Sequence, residues 1–254
     1  MKHLDLFSGI GGFALAAKWA AIKTIGFCEK DKFCQKVLSK HWPDVPICDD
    51  IHDFNYDGNV DILTASMPCQ PFSQAGNKNG KSDRRYLWPE LLRVIRRIYP
   101  TWIISENVTG MVQISLDDVI RDLEAENYSV SVYLIPACSI SAPHRRERLW
   151  IVAYFNGIGI NLRERYREKG YLQTDKKWDL AKIQQEWSQF IPDTWKTFKV
   201  RDWLQYNSDA SRRDDGISER LDKDRIKALG NAIVPQMAYI FFRLIKEISS
   251  LTKY

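Results

Sequence analysis

The chain has 254 residues, of which 44% are hydrophobic and 27% are charged. This composition excludes a disordered chain, a collagen-like fibre and a coiled coil, and the length favours one large domain or one domain with a small insert. Lys and Arg total 37 against 32 Asp and Glu, a net charge of +5, which permits a polyanionic partner without requiring one.

The cysteines and the N-terminus bear on where the protein works. The five cysteines are odd in number and include no pair at the CxxC spacing of zinc and redox sites, so we expect free thiols in a reducing compartment. The first residues lead directly into a strand-like segment, and no apolar run reaches the roughly 20 residues of a membrane-spanning helix. We therefore expect a cytoplasmic protein without a membrane partner.

Strand-like and helix-like segments alternate from the N-terminus to residue 154. The predicted strands cover residues 4–7, 24–28, 60–64, 102–105, 129–135 and 149–154. The predicted helices cover residues 13–21, 32–41, 87–98 and 116–125. This alternation is typical of an α/β fold with a doubly wound, mostly parallel sheet, in which ligands bind at the carboxyl ends of the strands.

The alternating pattern stops after Phe155. Residues 155–224 are polar, charged and rich in tryptophan, and they contain no alternating strands. Residues 237–248 then form an apolar helix that must pack on something, and the first domain offers the obvious surface. We therefore predict one domain from residues 1–154 and 225–254, with residues 155–224 as a small inserted domain.

Four polar or small residues come just after predicted strands and should meet at one edge of the sheet: Gly12, Glu29, Cys69 and Glu106. Glycines 9, 11 and 12, between a strand and a helix, permit a tight turn and close approach of a ligand to the backbone. Glu29 stands where an acceptor for ribose hydroxyls is expected. The spacing is not that of a pyrophosphate-binding loop, so a nucleoside without phosphates is favoured; the alternative is a purely structural turn.

Cys69 lies between Pro68 and Pro71 at the end of a central strand, a position suited to a nucleophile. The alternative is a buried, inert thiol, which is the interpretation we adopt for the other four cysteines. The glycine-containing stretch from Ser73 to Arg85 predicts a mobile lid with basic side chains, or else a solvated loop.

Glu106 and the arginines near residue 148 are further candidates. A carboxylate at a buried strand end is costly unless it is used or paired, so Glu106 is either functional or salt-bridged at the sheet edge. Arg146 and Arg148 alternate along a strand and so share a face. Together they can neutralise a carboxylate or bind a phosphate or base oxygen; the alternative is a surface charge run.

The order of these motifs is more specific than any one of them. DLFSGIGGF, CEKD, DDI, PCQPFS, ENV, RRERLW and GNAIVP follow one another along the chain. In this order they resemble the DNA (cytosine-5)-methyltransferase family, in the form of a compact bacterial or phage-type member. The resemblance implies a Rossmann-like S-adenosylmethionine-dependent fold in which residues 155–224 are the target-recognition domain.

The resemblance also implies the cofactor and the residues that hold it. S-adenosyl-L-methionine would be the methyl donor, with S-adenosyl-L-homocysteine as product and no metal. Phe7 would stack on the adenine, the glycine loop would cradle the methionine, Glu29 would bind the ribose, and Asp50 and Ile51 would hold the adenine edge and face. The implied cofactor residues are Phe7, Ser8, Gly9, Gly11, Gly12, Glu29, Lys30, Asp50, Ile51, Pro68, Leu87, Asn231 and Ala232. Lys30 and Ala232 depart from the residues usual in the family.

For catalysis, the resemblance implies a covalent mechanism on a flipped cytosine in duplex DNA. Cys69 would attack C6, Glu106 would contact N3 and the exocyclic amine, and Arg148 would contact O2, with Arg146 beside it. The implied DNA-contacting residues are Gln70, Ser73, Gln74, Arg84 and Arg85. We expect a monomer acting on double-stranded DNA, in a restriction-modification or prophage setting. His144 departs from the family's usual Gln.

Three other interpretations stay open at this point. A tRNA cytosine methyltransferase of the same fold would use the same Cys and Glu, although the extra Cys-Phe-Thr signature of that branch is absent. A catalytically silent DNA-binding homologue would not need Cys69, Glu106 and Arg148. A nucleotide-binding dehydrogenase would account for the glycine loop and Glu29, and would leave the PCQ and ENV motifs without a role.

Overall fold

The computed structural model describes residues 1–68, 86–113, 115–140, 147–156 and 219–251. The strands are β1 Lys2–Leu6, β2 Lys23–Cys28, β3 Ile47–Cys48, β4 Ile62–Ala65, β5 Trp102–Val108, β6 Tyr128–Pro136 and β7 Glu147–Phe155. The α-helices are α1 Gly12–Trp19, α2 Lys32–His41, α3 Trp88–Ile98, α4 Leu116–Ala125, α5 Glu219–Asn231 and α6 Pro235–Leu251. Short 3₁₀ helices span Thr109–Gln113 and Ala137–Ile140.

The seven strands form one sheet in the order β3-β2-β1-β4-β5-β7-β6. Strands β1 to β5 pair in parallel, whereas β7 is antiparallel to both β5 and β6. The predicted α/β fold with a mostly parallel sheet is therefore confirmed. The chain moves outward from β1 to β3 and then returns to place β4 on the other side of β1. This reversal is a topological switch point, and in such sheets ligands bind beyond the carboxyl ends of the strands on either side of it.

Local sequence explains where helices begin. Helix α2 starts after Asp31, whose side-chain oxygen accepts the backbone N–H groups of Phe33 at 2.9 Å and Cys34 at 3.2 Å. This N-cap satisfies two of the donors that a helix start leaves without a partner. Helix α3 has Pro89 in its first turn, where a missing N–H costs nothing.

Helices cover both faces of the sheet. Helices α3 and α4 contribute to the hydrophobic core on one face, and α1 and α6 contribute to that on the other. On the second face, the ring of Phe241 in α6 lies 5.0 Å from that of Trp150 in β7. Phe13 of α1 meets the same indole edge-on. These contacts confirm that the C-terminal helix packs on the first domain.

Residues Lys227–Ser250 are long and apolar enough to cross a membrane by length and composition alone, whereas the sequence analysis expected no such segment. Half of an 18-residue apolar stretch within this segment is buried inside the fold. Met237, Phe241 and Ile245 are all core residues. Packing against α1 and the sheet accounts for the apolar composition of the segment.

The structure differs from the predicted elements at several points. Strand β5 continues to Val108, so Glu106 lies within the strand and faces Trp150 of β7 in the register, instead of following the strand. Strand β3 is an unpredicted two-residue strand at the sheet edge. Helix α5 begins at Glu219, inside the segment assigned to the insert. Residues 157–218 lie outside the described part of the chain, so the inserted domain stays a prediction.

Candidate active site

The loops that follow β1, β2, β4 and β5 lie along one edge of the sheet, since these strands are parallel. Some of the predicted site residues come from these loops, and the others come from the turn after β3, the residue before α3, strand β7 and the end of α5 with the segment that follows it. The structure brings most of the described ones into two groups. One group surrounds the glycine loop after β1, and the other surrounds Glu106 on β5.

Ser8 ties the glycine loop to both β1 and β2. Its hydroxyl donates to the carbonyl oxygen of Asp5 at 2.7 Å, and its N–H donates to the carbonyl oxygen of Cys28 at 3.1 Å. The side chain is buried. Ser8 therefore fixes the loop from beneath. Phe7, before it, has a φ of +54° and is half-buried against the core cluster that contains Ile51.

Two glycines of the loop are required for different reasons. Both have positive φ, +54° at Gly9 and +85° at Gly11, which favours glycine. A Cβ on Gly11 would lie 2.6 Å from Cζ3 of Trp42, so side-chain packing also excludes a larger residue. A Cβ on Gly9 would meet no atom within 4 Å in the part of the chain that the structure describes. The space beside Gly9 is therefore open, as a ligand-binding cradle requires.

Glu29 lies beside Gly9 and is held by backbone donors. Its Oε2 accepts the N–H of Gly9 at 2.7 Å, and its Oε1 accepts the N–H of Asp31 at 2.7 Å. A carboxylate offers about four lone-pair sites. Two acceptor sites therefore stay available on a carboxylate whose orientation is already fixed, which suits a pair of neighbouring hydroxyl groups.

Asp50 stands next along this edge and already has two partners. Its Oδ2 lies 2.7 Å from Nζ of Lys30, and its Oδ1 lies 2.6 Å from Nδ1 of His52. Hydrogen bonds from Lys30 and then His52 hold the pKa of Asp50 well below its usual range, so the group is a carboxylate acceptor. Ile51, which follows, is buried in the core.

The segment after α5 reaches the glycine loop. Cγ1 of Ile233 lies 2.7 Å from the position that a Cβ on Gly12 would take. Lys227 of α5 pairs with the Asp31 carboxylate at 2.8 Å. These contacts bring Asn231, which is exposed, and Ala232, which is half-buried, to the glycine-loop side of the sheet edge.

Leu87 is partly buried, whereas Pro68 is exposed. Leu87 immediately precedes α3 and is partly buried against the same core cluster as Phe7. Pro68 is exposed beyond the end of β4.

Glu106 is buried and paired. Its side chain is 7% exposed, and its Oε1 lies 3.0 Å from Nε of Arg148. The hydroxyl of Ser66 donates to its Oε2 at 3.1 Å. Ser66 follows β4. Ala65 pairs with Ser105 in the β4–β5 register, so the next pair along the two segments is Ser66 and Glu106, whose side chains lie on the same face. Strands β5 and β7 and the segment directly after β4 therefore each contribute one side chain to this cluster.

Asn107 fixes the backbone beside this cluster. Its side-chain Oδ1 accepts the N–H of Val108 at 2.8 Å, and its amide donates to the carbonyl oxygen of Met67 at 3.5 Å. Asn107 is buried, so it joins the end of β5 to the segment that leads from β4 towards Cys69. The ENV motif could be identified from the sequence, whereas the individual contacts of Asn107 and Ser66 could not.

Several predicted residues lie outside the described part of the chain. They are Cys69, Gln70, Ser73, Gln74, Arg84, Arg85, His144 and Arg146. Among the residues that the structure does describe, no group of three or more His, Cys, Asp and Glu side chains is arranged to hold a metal ion.

The match to a known protein family shows which family this chain belongs to. The family model for C-5 cytosine-specific DNA methylases matches residues 1–224. The chain belongs to this family. Its place there accounts for the order of motifs and for the two groups of side chains at one edge of the sheet.

Curated relatives of this chain are bacterial Type II methyltransferases. M.AplI of Arthrospira platensis is 36% identical over 156 residues, which cover 59% of this chain and 45% of the relative. M2.BsuMI of Bacillus subtilis is 34% identical over 165 residues, covering 60% and 42%. M.FnuDI of Fusobacterium nucleatum is 31% identical over 192 residues, covering 71% and 56%. The chain spans about half the length of these relatives.

Solved structures similar to this chain share its fold. Dnmt2 methyltransferase of S. pombe matches with a TM-score of 0.63 and 18% identity over 98% of this chain and 99% of that one. A putative DNA modification methyltransferase encoded within an E. coli prophage matches with a TM-score of 0.52 and 22% identity, over 61% and 47%.

Proposed function

We propose that this protein is a DNA (cytosine-5)-methyltransferase that transfers the methyl group of S-adenosylmethionine to C5 of cytosine in duplex DNA. Family membership supports the reaction class. The single structural observation that carries the proposal is the buried Glu106 carboxylate, paired with Arg148 and bonded to Ser66 at the end of β4. This cluster presents a carboxylate and a guanidinium side by side next to the segment that continues into Cys69.

The residues around the glycine loop fit S-adenosylmethionine. The open space beside Gly9 admits a ligand close to the backbone. Glu29 keeps two acceptor sites for ribose hydroxyls, and the Asp50 carboxylate is an acceptor for an exocyclic amine. The loop lacks the spacing that a pyrophosphate needs, which agrees with a nucleoside without phosphates. When bound, the sulfonium supplies an electrophilic methyl group.

The chemistry explains why a thiol and a carboxylate are needed together. C5 of cytosine is a poor nucleophile until a thiolate adds to C6. In the proposal the Cys69 sulfur forms that bond, and the electron pair displaced onto the ring makes C5 nucleophilic. Glu106 accepts hydrogen bonds from the protonated N3 and the exocyclic amine, and Arg148 donates to O2. After methylation a water removes the C5 proton, and the Cys69 thiolate leaves as the C5–C6 double bond reforms.

Chain connectivity supports the part assigned to Cys69. Pro68 is the last described residue before Cys69, and consecutive Cα atoms are about 3.8 Å apart. Two residues before Pro68, Ser66 touches Glu106. A thiol at normal pKa is only a few per cent ionised at neutral pH, so the mechanism requires a lowered Cys69 pKa or coupled deprotonation.

The target base must leave the duplex before a thiolate can reach C6, at a cost of a few kcal/mol. We assign closure over the flipped nucleotide to the lid between Ser73 and Arg85, and phosphate contacts to its basic side chains. The insert at residues 155–224 is the proposed target-recognition domain. We place the enzyme in the bacterial cytoplasm, acting as a monomer in a restriction-modification or prophage setting.

The test is methyl transfer from labelled S-adenosylmethionine to duplex DNA and, in parallel, to tRNA. We expect labelled DNA, no labelled tRNA, and loss of turnover in Cys69→Ser. Turnover that survives this substitution would remove the nucleophile assignment, and transfer to tRNA alone would overturn the substrate. Sequencing of methylated plasmid from expressing cells would identify the recognised bases.

A further inference from the structure

We propose that Arg93 is a positioning residue of the adenine pocket and sets how strongly the enzyme prefers a ligand with an exocyclic amine. This proposal rests on the proposed function, because it takes from it the assignment of Asp50 to the adenine edge. Arg93 lies on α3, outside every motif that the sequence analysis singled out.

The guanidinium of Arg93 donates to several carbonyl oxygens of a single turn. Nη2 lies 2.7 Å from the carbonyl oxygen of Ile51 and 3.4 Å from that of His52. Nη1 lies 3.3 Å from the carbonyl oxygen of Phe54. Nε donates to Oε2 of Glu90 at 2.8 Å, one helical turn earlier. The guanidinium is planar, so the hydrogen bond from Nε to the Glu90 carboxylate also fixes the direction in which the Nη donors point.

The turn that Arg93 holds is the one that begins with Asp50. The N–H of Asp53 donates to the carbonyl oxygen of Asp50, and the N–H of Phe54 donates to that of Ile51, both at 3.2 Å. Ile51 and Phe54 are buried in the core, which fixes one side of the turn. Arg93 fixes the other side through the carbonyl groups. The direction of the Asp50 carboxylate depends on this backbone.

Correct orientation matters because the Asp50 carboxylate is already engaged. Lys30 and His52 occupy both of its oxygens, so an incoming amine must use what acceptor capacity stays free. A small rotation of the turn would present a lone pair that Lys30 or His52 occupies, and the amine would lose its acceptor. Arg93 thus controls recognition of the amine without touching the ligand.

The exposure of Arg93 separates this role from folding. Its side chain is 41% exposed, so water can replace the guanidinium at the freed carbonyl groups when Arg93 is substituted. Arg97 provides a matched control one turn further along α3. It pairs with Asp57 at 2.7 Å, in the same loop region but outside the turn.

The experiment measures the affinity of the full-length protein for two ligands by calorimetry. One is S-adenosylhomocysteine, and the other is its analogue with hypoxanthine, in which a carbonyl replaces the exocyclic amine. The wild type should prefer the adenine ligand. Arg93→Met should lower this preference about five- to tenfold, Arg93→Lys should lower it less, and Arg97→Met should leave it unchanged. Adding Asp50→Asn to Arg93→Met should give no greater loss than Asp50→Asn alone.

An unchanged preference in folded Arg93→Met would overturn the proposal, and so would an equal loss in Arg97→Met. If Arg93→Met does not fold, Arg93→Lys decides: a wild-type preference in that variant overturns the proposal. A wild-type protein that binds neither ligand would overturn the proposed function itself, and that result is distinct from normal binding with an unchanged preference.

Discussion

Oε1 of Glu106 and Nε of Arg148 lie 3.0 Å apart across two antiparallel strands. Glu106 pairs with Trp150 in the β5–β7 register, and Arg148 lies two residues from Trp150 on the same face, so the two side chains are diagonal neighbours. A carboxylate that is only 7% exposed would be costly without a partner. The guanidinium stabilises its charge, and in the proposed mechanism the pair offers an acceptor and a donor to one planar base.

Glu106→Gln should lower the rate of methyl transfer at saturating substrates by about 100-fold or more, because the amide cannot balance the charge of a protonated ring. Affinity for S-adenosylhomocysteine should change little, since Glu29 and Asp50 are intact. Single-turnover assays and calorimetry measure the two quantities. The control is Ser66→Ala, which removes one hydrogen bond to the same carboxylate and should cost less than tenfold. Equal losses in the two variants would argue that Glu106 acts only structurally.

Lys227→Met should weaken binding of S-adenosylhomocysteine roughly two- to fivefold, the range expected for an exposed ion pair. The pair with Lys227 lowers the pKa of Asp31, and the N–H of Asp31 holds Glu29. The effect of the substitution should shrink at high salt, which screens exposed charges.

The control for Lys227→Met is Arg243→Met, which breaks an exposed ion pair with Glu247 on α6. It should leave ligand affinity unchanged. The same loss of affinity in both variants would show that any weakened C-terminal ion pair has this effect, and the link from Lys227 to Glu29 would then be wrong.

Alkylation of native protein with iodoacetamide at pH 8 should spare Cys28 and Cys34 and modify Cys69 first. Both of the former are buried. Burial raises the pKa of Cys34 to about 12 and raises that of Cys28 well above its usual value, so neither forms the reactive thiolate. Peptide mass spectrometry over time gives the order. Modification of Cys28 as fast as Cys69 would contradict the different environments assigned to them.

The buried, neutral His3 should lower the free energy of unfolding in mild acid. Its ring nitrogens contact Thr24 at 3.0 Å and Thr64 at 2.8 Å, and burial lowers its pKa to about 3. The unfolded chain binds a proton at this residue below about pH 6.5 and the folded protein does not, so the free energy of unfolding falls as pH decreases towards 3. Between pH 7 and pH 5 this contribution is about 2 kcal/mol.

Asp5 titrates with the opposite sign, so the contribution of His3 must be isolated. Burial raises the pKa of Asp5; the folded protein keeps a proton that the unfolded chain releases, and stability falls as pH rises above about 4. Urea denaturation of the wild type and of His3→Gln, which retains Asp5, gives the difference. That difference should decrease by about 2 kcal/mol from pH 7 to pH 5. A constant difference would refute the neutral, buried imidazole.

Most elements of the sheet and its helices were predictable because their signals are local. Helix α2 matches its prediction because Asp31 caps it and Pro43 follows it. The length of β5 was not predictable, because its last residues are strand only through pairing with β7, which comes 39 residues after β5 along the chain. The two residues of β3 carry no periodic pattern that could identify a strand.

The same distinction between local and long-range signals applies to the residues of the candidate site. Glu29 and Glu106 could be identified because acidic side chains at strand ends are unusual in sequence. Ser66, Lys227 and Arg93 could not, since a serine, a lysine and a helix-face arginine are ordinary until the fold sets their neighbours. The role of Ser66 depends on the strand register. That of Lys227 depends on a contact with a residue 196 positions earlier in the chain, and that of Arg93 on a contact with a turn 42 residues earlier.

The most direct test of the central claim is covalent trapping by duplex DNA that carries 5-fluorocytosine at every cytosine, in the presence of S-adenosylmethionine. Because fluorine at C5 cannot be removed as a proton is, the final elimination stops and the enzyme stays bound to the base. We predict a denaturation-resistant protein–DNA adduct that peptide mapping assigns to Cys69 and that Cys69→Ser does not form. An adduct at another residue, or no adduct from an enzyme that methylates ordinary DNA, would contradict the account.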